Sequence, residues 1–112
     1  VSRIKEIIIT GGFNVYPGEV EEILREHPSI DDVAVVGRPR EDGSEDVVAC
    51  LDLADGAALD PEGLKDYCRE RLTRYKVPRT FYHFEELATD QLGKVRRRAV
   101  QEDLLKRLQA EK

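Results

Sequence analysis

The chain has 112 residues, 40% of them apolar and 37% charged, with a formal net charge of −5. That length suits one domain with a modest core. The acidic balance argues against nucleic acid as a main partner, and no apolar run approaches the length needed to span a membrane.

Taken in order, Ile7-Ile8-Ile9-Thr10 is a β-branched run and reads as a strand, ended by a turn at Gly11-Gly12 where positive φ is available. Phe13-Asn14-Val15-Tyr16 continues extended. Pro17 suits the first turn of a helix, with Glu19, Glu21 and Glu22 near the positive end of its dipole. Val20, Ile23 and Leu24 share one face, and the helix must stop before Pro28. Val33-Ala34-Val35-Val36 is an unbroken apolar run suited to the middle of a sheet, and Asp46 to Leu53 is a further strand. The two make an antiparallel hairpin around a long charged connection, 37–45.

Asp60 as cap and Pro61 as first residue start a second helix, striped by Leu64, Tyr67, Cys68 and Leu72 and ended near Tyr75-Lys76-Val77-Pro78. Thr80 to Phe84 is a short strand and Glu85 to Leu92 a loop. Val95 adds a short pairing, and Arg97 to Ala110 is a last helix with Val100, Leu104 and Leu108 on one side. The pattern predicts a small α+β domain, with about three main strands in a mixed or antiparallel sheet and helices packed on its faces.

The chemistry points to Asp90 through Arg98. Gly93 permits a sharp turn close to a ligand, and Lys94 is a mobile cation suited to a phosphate or carboxylate oxygen. The run Arg96-Arg97-Arg98 suits either phosphates or a neighbouring domain, or else the wet face of the last helix, and the wet face is the favoured reading. Cys50 and Cys68 sit in apolar patterns and read as reduced, buried thiols of a cytoplasmic protein. His27 and His83 lie far apart with no ligands at metal-binding spacing, so no metal site is read. The absence of methionine and the opening Val1-Ser2-Arg3 suggest a piece of a longer chain cut at a linker.

Several short motifs fall in one order. They are Arg3-x-Lys5-Glu6-x-Ile8, Gly11-Gly12-Phe13-Asn14-Val15-Tyr16-Pro17-x-Glu19-Val20-Glu21, Val35-Val36-Gly37-x-Pro39, Tyr75-Lys76-x-Pro78 and Gly93-Lys94-Val95-x-Arg97. The series resembles the C-terminal domain of the adenylate-forming superfamily: acyl-CoA synthetases, peptide-synthetase adenylation domains and beetle luciferases. The resemblance covers essentially the whole chain, and Phe13 to Pro17 looks most like the fatty-acyl-CoA ligases.

The resemblance implies a two-step enzyme. A large N-terminal domain, absent here, would bind ATP and a carboxylic acid, with Mg2+ held there, and make an acyl-adenylate. The small domain would then rotate and present another face for attack by the CoA thiol. By resemblance Lys94 is the adenylation lysine, a protonated clamp and not a base. Arg3 reaches the adenylate ribose, and Lys5 stands at the hinge pivot, where relatives often carry an acidic residue. Gly11 and Gly12 line the pantetheine channel, and Tyr75 stands where some CoA ligases place an aromatic against the CoA adenine.

Asp90 departs from the family, which often has threonine there; this puts fine loop contacts in doubt. Arg40 and Ser44 also depart from it. Two alternatives stay open beside a fatty-acyl-CoA synthetase. One is a domain that activates an amino or aryl acid and loads a carrier protein. The other is an interaction module without chemistry of its own.

Overall fold

The Gly11-Gly12 turn joins the first two strands, β1 (Ile8–Thr10) and β2 (Phe13–Val15), into an antiparallel hairpin of their own. Both glycines have positive φ, 56° and 89°, as a tight two-residue hairpin turn requires. The computed structural model describes residues 7–84, 87, 89–93 and 95–110.

Helix α1 (Pro17–Arg25) begins at its proline, is capped at Glu26 and buries Val20 and Leu24. β3 (Ile30–Pro39) and β4 (Glu45–Leu53) pair antiparallel. The strands run further than the apolar residues alone suggest, so the connection shrinks to residues 40–44. Arg40 N–H bonds the Ser44 carbonyl at 2.8 Å, and Gly43 turns with φ 90°.

Helix α2 (Pro61–Arg69) starts as expected, with the Asp60 carboxylate accepting from Gly63 N–H. It ends earlier than its stripe implies. The Arg71 guanidinium takes the Tyr67 carbonyl at 2.9 Å and Thr73 is extended, so Leu72 reaches the core from a turn and a separate 3-10 turn holds Arg74–Lys76. β5 (Thr80–His83) runs parallel to β4, completing a mixed three-stranded sheet in the order β3-β4-β5. Thr89 and Val95 form a single antiparallel bridge, the short pairing expected of Val95, and α3 is Arg97–Ala110.

The apolar run in β3 does not lie in the middle of the sheet: β3 is an edge strand and β4 is central. The run is unbroken because both faces of the sheet are covered, which demands apolar side chains at successive positions wherever the strand sits. Val33, Val35, Val47, Ala49 and Leu51 pack with residues of the hairpin, α1 and α2 on one face. Ala34, Val36, Val48 and Cys50 pack with Leu87, Val100 and Leu104 on the other.

Candidate functional site

The segment between β5 and α3 holds the loop in which the sequence places the candidate site. The Thr89–Val95 bridge pinches its two ends together. Inside it, the Asp90 carboxylate accepts from Leu92 N–H at 2.8 Å, and the Asp90 carbonyl accepts from Gly93 N–H at 3.0 Å. Gly93 closes the turn with φ 85°, a region that a side chain would strain. Asp90, which departs from the family pattern, therefore organises the loop through its own backbone contacts. Asp90, Gln91, Leu92 and Gly93 are all exposed, Leu92 at 83%, so the bend stands open to an approaching partner. Lys94, Arg3 and Lys5 lie outside the described residues.

The loop leads straight into a contact that the sequence did not reveal. Arg97 donates from Nε to Glu21 Oε2 at 2.7 Å and from Nη2 to Glu21 Oε1 at 2.6 Å. Glu21 is 2% exposed, and its Oε2 also accepts from Val35 N–H at 2.9 Å. The reading of the whole arginine run as a wet face is thus corrected at Arg97. Arg96 and Arg98 are exposed, but Arg97 turns inward because a buried carboxylate requires a partner. Gln101, one turn on, donates to the Gly37 carbonyl. Together Glu21 and Gln101 occupy polar backbone groups of the β3 edge. A cleft of about 470 Å³ runs along that edge, lined in part by Ile7, Pro17, Gly37, Glu45 and Arg97.

Gly11 and Gly12 are exposed, and a Cβ built on either would meet nothing within 4 Å. The turn presents bare backbone to open space. Tyr75 stacks on Phe13, ring centroids 4.5 Å apart with 18° between planes, and also packs against the core. Phe13 is 53% exposed and forms the outer plate of this pair. Beside them Lys76 pairs with Glu19 at 2.8 Å, a hydrogen bond that raises the lysine above its ordinary value.

Lys65, Arg69, Arg74 and Arg79 line a second cleft of about 630 Å³. This concentration of cations was not singled out in the sequence. Its signal is the density of arginine and lysine between 69 and 79 in a chain with a net charge of −5. No group of three or more His, Cys, Asp or Glu side chains able to hold a metal gathers among the described residues. Likewise no helix among them is long and apolar enough to cross a membrane.

The chain is thus a small α+β domain with a Gly-Gly hairpin near its start and an exposed bend at 90–93 before its last helix. The sequence profile of the AMP-binding enzyme C-terminal domain matches residues 19–94, and this chain belongs to that family. It is 44% identical over 101 residues to a long-chain-fatty-acid–CoA ligase of Bacillus subtilis strain 168, covering 90% of this chain and 18% of the relative. It is also 44% identical over 95 residues to an indoleacetate–CoA ligase of Aromatoleum aromaticum, covering 85% of this chain and 19% of that protein. Among solved structures, an acyl-CoA synthetase of Brucella canis superposes with a TM-score of 0.85 at 28% identity, over 96% of this chain and 20% of that one. The chain spans about a fifth of the length of the curated relatives it matches.

Proposed function

We propose that the chain works as the mobile C-terminal domain of an ATP-dependent acyl-CoA synthetase. Its reaction would join a carboxylic acid to CoA through an acyl-adenylate, releasing pyrophosphate and AMP. The observation that carries this reading is the exposed bend at 90–93, pinched by the Thr89–Val95 bridge, in a chain of this family.

ATP supplies the leaving group for acid activation. Adenylation brings a carboxylate against a phosphate, two anions that repel. The Lys94 ammonium is the group of this domain suited to offset that charge and align the attack. Its neighbours support the role: the loop is exposed, turns at Gly93 and is fixed at both ends.

CoA belongs to another face. The open backbone at Gly11 and Gly12 suits close passage of a narrow pantetheine arm. The Phe13–Tyr75 stack suits an adenine, offered to the outer plate Phe13 because Phe13 already covers one face of Tyr75. The cationic cleft nearby suits phosphate charge. Arg3 is assigned to the adenylate ribose and Lys5 to the hinge. A large N-terminal domain of the same chain is the partner, and Mg2+ is assigned to that domain.

A fatty acid is the first choice of substrate, supported by the Bacillus subtilis long-chain ligase; the indoleacetate ligase, equally identical, keeps an aryl acid as the second. The acid pocket is assigned to the N-terminal domain. The free, buried cysteines suit a cytoplasmic setting.

The test uses the full-length protein with a panel of acids, offering free CoA and a phosphopantetheinyl carrier protein as acceptors. Lys94→Ala is expected to slow ATP–pyrophosphate exchange about a hundredfold or more. Thioester formation from supplied acyl-adenylate should be largely spared. Equal loss of both half-reactions refutes the clamp role.

A further inference from the structure

Arg97 stands three residues beyond Lys94, and its partner Glu21 lies 76 residues earlier in the chain. Both guanidinium bonds are short, and the carboxylate they meet is buried and tied again to the backbone of β3. Helix α1 lies on one face of the sheet and α3 on the other. The pair therefore passes around the free edge of β3 and clasps the two layers together. Its α3 end is the helix's first residue, and the first helical bond there runs from Val100 N–H to the Arg96 carbonyl. Between the clasp and the loop, Val95 pairs with Thr89, so the bridge joins positions 89 and 95 and the clasp holds the chain two residues further on, at 97.

We propose that Arg97 is a positioning residue for adenylation. It sets the C-terminal anchor of the Lys94 loop through its two-point contact with Glu21, and it does not touch the reacting groups. The proposal rests on the assignment of Lys94 made above. A lysine at 97 would keep the charge but lose the planar fork that fixes direction as well as distance. The consequence is specific. Loosening the clasp should harm the half-reaction that needs Lys94 and spare the one that uses the other face of the domain.

The experiment compares the full-length protein with its Arg97→Lys, Glu21→Gln and Lys94→Ala variants and the Lys94→Ala/Arg97→Lys double variant, all below the lowest melting temperature of the set. Three quantities are read: the maximal rate of ATP–pyrophosphate exchange, its KM for ATP, and the rate of thioester formation from supplied acyl-adenylate. Arg97→Lys should lower the maximal exchange rate about tenfold, with KM for ATP and the thioester rate within about twofold of the parent. Glu21→Gln should show the same split, and it keeps an acceptor for Val35 N–H, so the test survives if Arg97→Lys fails to fold. On the Lys94→Ala background, Arg97→Lys should cost less than about twofold more, because the two residues then act in one chain of effect. If both half-reactions fall together, or neither falls, the clasp is a fold staple only and the proposal is overturned. If Lys94→Ala itself exchanges at the parent rate, the assignment of Lys94 fails instead, which the single variant reports separately.

Discussion

Replacing Glu21 by alanine in the 112-residue chain removes three hydrogen bonds at once. Two come from Arg97 and one from Val35 N–H. Breaking a buried ion pair by removing one partner costs about 3–5 kcal/mol. The Arg97 side chain is 29% exposed, so water recovers part of its charge. That places the pair near the low end of the range. The orphaned Val35 N–H, on an edge strand, adds to the loss within the range of about 1–3 kcal/mol for an unsatisfied buried donor. Because the two losses share one carboxylate, a total of about 3–4 kcal/mol is expected. A domain of this size has about 5–15 kcal/mol in all, and with an unfolding entropy of about 2.1 cal/mol/K per residue the melting temperature should fall by about 13–17 °C. Thermal unfolding followed by far-UV circular dichroism measures this. Glu21→Gln should cost markedly less, since an amide oxygen can still accept from the backbone. Adding Arg97→Ala to Glu21→Ala should cost less than Arg97→Ala costs in the parent chain, because the two residues share one contact. A fall of under about 3 °C for Glu21→Ala would show that the clasp does not hold the layers together, and the reasoning would fail with it.

Three further outcomes are expected. Burial pushes the Cys50 thiol up to about 12 and the Cys68 thiol to about 11, so iodoacetamide at pH 8 should label neither until the chain is unfolded. Labelling of the folded chain at the rate of a free thiol contradicts the burial. In the unfolded chain these thiols ionise near the ordinary value of 9.0. The stability they contribute is therefore complete below about pH 9 and is lost as pH rises through 11 and then 12. Urea midpoints at pH 8 and pH 10.5 should fall less for a Cys50→Ala/Cys68→Ala chain than for the parent; equal falls count against it. Finally, the 112-residue chain alone should give no ATP–pyrophosphate exchange and bind nucleotide only weakly, so measurable exchange would refute the assignment of ATP and acid to another domain.

What was legible in the sequence is what nearest neighbours decide. Gly11-Gly12 must turn because two consecutive positive φ values are cheap only for glycine. Asp60-Pro61 must start a helix because the carboxylate reaches Gly63 N–H within one turn. The stripe of Val100, Leu104 and Leu108 marks the buried side of α3, and Val95 pairs as its position suggests. The ordered motifs also identified the family, whose profile matches residues 19–94.

Only the tertiary structure decided the rest, since those outcomes depend on groups brought together from far apart. Nothing local distinguishes an edge strand covered on both faces from a central one; helices on each side impose the same apolar run. The end of α2 was settled by Arg71 and Thr73 against a stripe that could have continued through Leu72. Above all, the motif ending at Arg97 set that residue apart from Arg96 and Arg98, but only folding, which placed Glu21 beneath it, turned its side chain inward. A charge in a basic run faces water by default, and it turns inward only where a buried carboxylate from another element holds it.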